Sequence, residues 1–377
     1  MLARKCSYHE FSTKPMRILH LLNHIEEIGN GIVNATVDLA CTQAKGANEV
    51  CVASAGGRYK ALLARYGVRH FDLDQTRNPS NLFKASRRYL AIVRELRPDI
   101  VHVHMMTGAV IAKGLKGGAG YSLVATVHNE FQRSAILMGL GDRVIAASEA
   151  VAESMRRRGV TRSKIRVVRY GTLGSPRRHP IGNHRPAALQ GKAIVTVAGM
   201  YWRKGIGELL AAFEGVASRF PEAHLYLVGD GPDRPQMEDL ARRSVAASRI
   251  HFEGFQKEPQ RYMLAADVFV LPSHHESFSL VITEAREAMC AIVASDVDGI
   301  PEALDGGNAG VLVPPRDVSS LEAALVAILS DPEEKAKWRR LASQNLQMYS
   351  VNRMAQETEA VYLKLLQEKR QTTSGSR

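Results

Sequence analysis

The stretch richest in chemistry follows an apolar run at Val268–Ser273. It reads His274-His275-Glu276-Ser277-Phe278-Ser279-Leu280-Val281-Ile282-Thr283-Glu284, with two glutamates flanking seven residues. Ser279 suits the N-cap of a helix that starts there. The backbone N–H groups around Ser279, Leu280 and Val281 that such a start leaves unpaired form an anion site fit for a phosphate. Glu284 then falls in the second turn, where a carboxylate can accept hydrogen bonds from ribose hydroxyls. Glu276, in the loop before the helix, can reach a sugar hydroxyl or ring. One element would hold phosphate, ribose and sugar. Spacing alone describes equally well two solvated glutamates of an ordinary helix.

Other constellations are weaker. Asp72-Leu73-Asp74 and Asp296-Val297-Asp298 have the form of a metal- and diphosphate-holding triplet, but each reads best as a solvated turn after a strand. His102 and His104 alternate along a strand as zinc ligands can, yet no Asp or His cluster follows later strands, and they read as structural or acceptor-side. No metal is expected. Four cysteines (Cys6, Cys41, Cys51, Cys290) lack C-x-x-C spacing, so they read as reduced, buried thiols and favour a cytoplasmic setting.

The net charge of +12 is lopsided: residues 1–185 carry +16 and the remainder −4. A basic half suits a polyanionic partner or simply a solvated surface. Arg87-Arg88 and Arg156-Arg157-Arg158 are the densest runs, readable as solvated helix faces or as a patch for anionic lipid. Few aromatics and no recognition motif argue against nucleic acid. No apolar run reaches the ~20 residues of a membrane span, and the basic start MLARKCSYHEFSTKP has no signal-peptide core.

These residues need a scaffold. Apolar, β-branched runs alternate with amphipathic stretches, which implies parallel sheets covered on both faces. In the first half the expected strands are Arg17–Asn23, Glu49–Ser54, Arg69–Asp74, Asp99–Met105, Ser122–His128, Arg143–Ser148 and Ile165–Tyr170, with helices such as Gly31–Lys45 and Leu82–Leu96 between them. Residues 174–190, with three prolines and no periodic apolar signal, read as a linker. Strands resume at Ala193–Met200, His224–Asp230, Ile250–Gly254, Val268–Ser273, Ala291–Val297 and Ala309–Val313. The expected division is a disordered extension (1–15), a first α/β domain (16–173), the linker, a second α/β domain (191–345) and a terminal helix and tail (346–377). Ligands of such sheets sit beyond the carboxyl ends of the strands, and the residues singled out lie there.

Glu276-Ser277-Phe278-Ser279-Leu280-Val281-Ile282-Thr283-Glu284 resembles the E-x7-E signature of retaining glycosyltransferases of family 4, which have the GT-B fold: two Rossmann-like α/β domains facing across a cleft. Further stretches follow that family's order over about residues 16–368. They are Gly29-Asn30-Gly31, PDIVHVH (Pro98–His104), TVH (Thr126–His128), Ala198-Gly199 followed by Arg203-Lys204-Gly205, LVGDGP (Leu227–Pro232), FEGF (Phe252–Phe255), GIPE (Gly299–Glu302) and the late YSVNRMAQETEAVYLKLL.

The resemblance implies roles: the first domain would be the acceptor side, the second would bind the donor, and the terminal helix would return to the first domain. Lys204 would bind the donor diphosphate, with Arg203 replacing the arginine that the family usually carries directly after the glycine matched by Gly199, where this chain has Met200. Glu284 would hold the ribose, Glu276 the transferred sugar, and the backbone of Ser279, Leu280 and Val281 a phosphate. Phe255 would lie over the base, His128 near the sugar, and Gly29 and Gly31 would let backbone approach the donor. The family's Asn-Gly-Val-Asp is here Tyr170-Gly171-Thr172-Leu173, and no donor role is assigned to it. The implied activity is metal- and cofactor-independent transfer from a UDP- or GDP-sugar to a glycan or lipid-linked acceptor in surface polysaccharide or glycolipid synthesis, possible also at the inner membrane face. The alternative is a nucleotide-sugar-binding partner subunit without turnover.

Overall fold

The computed structural model describes residues 15–374. The extension expected over 1–15 therefore lies, Pro15 aside, outside the described residues. Among the described residues thirteen strands form two parallel sheets. The first contains β1 (Arg17–Leu21), β2 (Glu49–Ser54), β3 (Arg69–Asp72), β4 (Ile100–Val103), β5 (Ser122–Val127), β6 (Arg143–Ala146) and β7 (Ile165–Val167), in the order 3-2-1-4-5-6-7. The second contains β8 (Lys192–Val197), β9 (Ala223–Val228), β10 (Ile250–Gly254), β11 (Val268–Leu271), β12 (Ala291–Ser295) and β13 (Val311–Val313), in the order 10-9-8-11-12-13. This is the expected pair of Rossmann-like α/β domains.

Central strands are apolar on both sides because helices cover both faces. Every residue of β4, β5, β11 and β12 is buried. In each sheet the strand order reverses beside the first strand, at β1/β4 and at β8/β11, and loops diverge there to open a crevice. Asn30 starts the helix Gly31–Ala44 by accepting the N–H groups of Ile32 and Val33. The helix expected from Leu82 begins at Pro79, because Asn78 caps the Asn81 N–H and proline fits a first turn.

Residues 174–190 connect the sheets but are not a loose tether. Arg177 forms a two-pronged ion pair with Asp38 (Nη2–Oδ2 2.8 Å, Nε–Oδ1 3.0 Å), and both side chains are buried. After the second sheet the chain returns in the helix Val351–Ser374, which packs on Gly31–Ala44. Gly171 explains its own retention: a Cβ there would lie 2.2 Å from the Ser350 carbonyl oxygen at the start of that helix. Among the described residues no helix is long and apolar enough to cross a membrane. Cys41, Cys51 and Cys290 are free and buried; Cys6 lies outside the described residues.

The first core also encloses His20, His102, His104 and His128, none more than 9% exposed. Burial lowers the basicity of all four, His20 to about 4 and His128 to about 3, and His102 and His104 well below the ordinary value. Unfolded histidine takes up a proton near pH 6.5. Below that pH the unfolded chain binds more protons than the folded one, so stability falls as pH falls. Each histidine contributes up to about 1.4 kcal/mol per pH unit between 6.5 and its folded value. Glu130, Glu284 and Glu359, raised by burial, act in the opposite sense. Urea unfolding at pH 7, 6 and 5 should show stability declining across this window. A flat or rising profile would contradict neutral burial of the four rings.

Candidate functional site

The strand ends of both sheets meet at the loop 274–279. Ser279 caps the helix Leu280–Glu287, its hydroxyl accepting from the Ile282 N–H. Leu280 and Val281 N–H groups lie in that first turn, where no intrahelical carbonyl is available. Glu276 forms an ion pair with Lys204, their side chains only 13% and 11% exposed. Glu284, buried on the same helix, has its carboxyl raised by burial and counteracted by Arg178, whose Nε is 3.7 Å away. That Nε is buried without a hydrogen-bond partner.

The first domain closes directly over this element. A Cβ placed on Gly29 would lie 3.5 Å from the Phe255 ring, and one on Gly31 3.7 Å from Leu280. Gly29 has φ +72°, a backbone that glycine adopts without strain. Gly29 and Gly31 thus approach Phe255 and Leu280, while Ser279, Leu280, Val281 and Glu284 share the helix that follows the Glu276–Lys204 pair.

Three expected residues sit differently. Arg203 is exposed, its guanidinium over the rings of Tyr201 and Phe131 at 5.5 and 5.6 Å. Gly199 packs against Tyr201, while Met200 is wholly buried in the second core, so no cation stands where the family has its arginine. His128 has both ring nitrogens engaged by protein groups: Nε2 with His104 Nδ1 at 2.9 Å and Nδ1 with the Tyr170 hydroxyl at 2.5 Å.

Several groups at the cleft carry no motif signal. The Ser277 hydroxyl donates to Glu130 Oε2 (2.8 Å) and its carbonyl accepts from the Ser148 hydroxyl (2.7 Å), both across the domain boundary. Asp298, expected as a solvated turn, accepts the Glu276 N–H (2.9 Å) from a left-handed backbone, φ +46°. Such strain in a non-glycine residue is held by its surroundings. Arg178, in the stretch read as a linker, donates to Glu287 (3.0 Å) and the Thr172 carbonyl (2.8 Å). Glu302 of the Gly299–Glu302 motif accepts the Glu149 N–H (2.7 Å) at a helix start and pairs with Arg169 (2.9 Å), joining the domains again.

The basic run is partly spent. Arg156 and Arg157 pair with Glu153, and Arg158 donates to the Gln132 and Glu130 carbonyls. His20, His102 and His104 bring ring nitrogens within 4.8 Å of one another, close enough for a metal ion. Each of these rings also has hydrogen-bond partners, including Thr126 and Tyr362 for His102.

The profile of the family described as Glycosyltransferase Family 4 matches residues 29–172, and that of Glycosyl transferases group 1 matches 191–331. The chain belongs to the family 4 glycosyltransferases. It is 29% identical to a glycogen synthase of Mycobacterium tuberculosis over 72% of this chain and 70% of that protein. It is 35% identical to a phosphatidyl-myo-inositol mannosyltransferase of Mycolicibacterium smegmatis over 42% of each. Its fold is that of Anabaena HepE, solved with UDP and glucose (TM-score 0.77, 18% identity, 92% of this chain and 99% of that one). It is also that of sucrose-phosphate synthase from Thermosynechococcus elongatus (TM-score 0.80, 20% identity, 94% and 100%).

Glu302→Ala should loosen the domains. Loss of its charge-assisted bonds at a helix start should cost about 1–2 kcal/mol in urea unfolding, and small-angle scattering should show a larger radius of gyration. An unchanged radius would mean that the other cross-domain bonds suffice.

Proposed function

We propose that this glycosyltransferase moves a hexosyl unit from a UDP- or GDP-sugar to a glycan or lipid-linked acceptor, with retention of configuration. The reading is carried by the Lys204–Glu276 ion pair lying beside the capped start of the helix Leu280–Glu287, under the glycine loop 29–31. In this reading a donor diphosphate takes Lys204 from Glu276. The carboxylate so released accepts from a sugar hydroxyl, and Arg203 swings from its aromatic seat to the phosphate.

Negative charge grows on the departing phosphate as the glycosidic bond breaks. Lys204 and the Leu280 and Val281 N–H groups are placed beforehand as donors for it, and Arg203 joins them on moving. Each charge-assisted bond is worth ~1.5–3 kcal/mol, or roughly ten- to a hundredfold in rate. In the proposal these cations and N–H groups carry the role that a metal would take elsewhere. Glu284 and the unpaired Arg178 Nε offer an acceptor and a donor side by side, which suits a ribose diol. Closure of the domains excludes water and protects the donor from hydrolysis.

The acceptor side rests on relatives that are named for phosphatidyl-myo-inositol and glycogen substrates. We place the enzyme in surface polysaccharide or glycolipid assembly, in the cytoplasm and in contact with the inner membrane face through the first domain, residues 1–185 carrying +16. A second reading, a donor-binding subunit without turnover, is favoured by one observation: the buried Met200 where a cation is usual.

A thermal-shift panel of nucleotide sugars decides the donor. A ligand at a hundred times its dissociation constant stabilises by ~2.7 kcal/mol. The shift should vanish in Glu284→Ala, while Glu276→Ala should bind donor and lose turnover. Product should carry the donor's anomeric configuration, and EDTA should leave the rate unchanged. Donor binding without product would establish the second reading; no shift with any nucleotide sugar would refute both. Co-sedimentation with anionic vesicles at low salt checks membrane contact, and its absence would remove that part of the proposal.

A further inference from the structure

The buried histidines form a directed chain. Gln43 Oε1 meets His20 Nε2 at 2.9 Å; His20 Nδ1 meets His104 Nε2 at 3.0 Å; His104 Nδ1 meets His128 Nε2 at 2.9 Å; and His128 Nδ1 meets the Tyr170 hydroxyl at 2.5 Å. The links come from different elements. Gln43 is on the helix Gly31–Ala44, His20 on β1, His104 just after β4, His128 just after β5 and Tyr170 after β7. Parallel register sets β1 against β4, and the rings of His20 and His104 lie 5.3 Å apart.

A neutral imidazole has one N–H donor and one acceptor. The Gln43 carbonyl oxygen can only accept, so His20 donates from Nε2 and accepts at Nδ1. His104 and His128 must follow with the same polarity, and the Tyr170 hydroxyl must donate to His128 Nδ1. Four hydrogens then match four acceptors along the chain, and the Gln43 amide nitrogen at its end is left without a hydrogen-bond partner among the described residues. Reversal would leave the phenol proton of Tyr170, a residue 6% exposed, without an acceptor among the described residues. An added proton would turn an acceptor into a second donor and break a link.

We propose that Tyr170, His104, His20 and Gln43 are positioning residues for sugar transfer, holding His128 as the neutral Nε2–H tautomer with its ring fixed at the cleft. This rests on the place near the transferred sugar that the family resemblance implies for His128, and on the transferase reading proposed above. Tyr170 is the cleft end of the chain: its ring meets Phe278 of the donor domain edge-on at 5.6 Å, one residue from Ser277. The donor loop therefore bears on the residue that sets the His128 ring. The departure from the family at Tyr170 acquires a role, and Gln43, three hydrogen bonds from His128, becomes a remote determinant of rate.

The test begins with the side-chain 15N spectrum of 15N-histidine-labelled full-length protein at pH 7. His20, His104 and His128 should each appear neutral and protonated on Nε2. An Nδ1–H tautomer or an imidazolium at any of the three would overturn the proposal. So would zinc alone, at one equivalent, shifting His20, His102 and His104 together, since that marks a metal centre in place of the chain. Kinetics follow with Tyr170→Phe and Gln43→Leu. Each removes one terminal bond and leaves a buried partner unmatched, so kcat should fall about tenfold while the donor dissociation constant stays within about twofold. Gln43→Glu, which keeps the accepting oxygen, should restore most of the rate. Wild-type kcat in both removal variants, or equal losses in kcat and donor affinity, would overturn the proposal. The tautomers are read without substrate. A wild-type protein with the expected tautomers and no transfer would refute the functional reading and the positioning role with it, whereas active enzyme with other tautomers would refute the chain alone.

Discussion

The neighbours Glu276 and Ser277 are gripped from opposite sides of the boundary between the domains, and the geometry of the site loop depends on that grip. The Ser277 hydroxyl reaches Glu130 and its carbonyl receives Ser148, both from the first domain. Its neighbour Glu276 is held by Asp298 through the backbone N–H, and the Glu276 carbonyl by the Gly299 N–H, both from the second. The residue that carries the key carboxylate is thus fixed by one domain while the next residue is fixed by the other. Glu130 is costly to keep buried, since desolvation pushes its carboxyl up, and the Ser277 hydroxyl offsets part of that cost. A boundary joined by individual polar bonds of this kind can open and re-form, which suits an enzyme that must admit a donor and then exclude water.

Electrostatics at the cleft follow the same logic of prepared exchange. Lys204 and Glu276 neutralise one another while largely withdrawn from solvent. A lone cation there would pay a desolvation penalty, and a lone carboxylate would be repelled by a diphosphate. In the proposed reading the pair holds until a donor diphosphate offers the lysine another partner. Arg178 does similar work behind Glu284, dividing its guanidinium between Glu287, the Thr172 carbonyl and the edge of Glu284. Both devices place charge beforehand, so little reorganisation is left for the moment of bond cleavage.

The fold was legible because its information is local. Continuous β-branched runs separated by amphipathic stretches identify doubly covered parallel strands, and all thirteen expected strands are present. The Ser279 cap and the position of Glu284 in the second turn were readable for the same reason: both depend on a few consecutive residues. Contacts that depend on register or path were not. His102 and His104 show their alternation in sequence, but their meeting with His20 requires β1 to pair with β4. Single serines at 148 and 277 have no spacing that announces a bond 129 positions long. Arg177 and Arg178 stood in a stretch rich in proline and free of periodicity. That describes its lack of regular structure correctly but says nothing of where its side chains land. A three-residue triplet marks the turn at Asp298 but cannot reveal the left-handed backbone from which it accepts the Glu276 N–H.

The two departures from the family pattern are resolved in opposite ways by the packing around them. At Met200 a cation has been exchanged for an apolar side chain, and the second core has absorbed it completely. The exchange therefore costs the fold little, and in the proposed reading a phosphate relies instead on Lys204, the helix start and Arg203. At Tyr170 the exchange adds a large polar side chain to a buried position, and a buried phenol needs a partner. The His128 ring supplies it, and the hydrogen-bond demand passes along His104 and His20 until Gln43 meets it. One departure thus simplifies the site, while the other ties its state to residues deep in the first domain. The same physical rule, that buried polar groups must be matched, decides both outcomes.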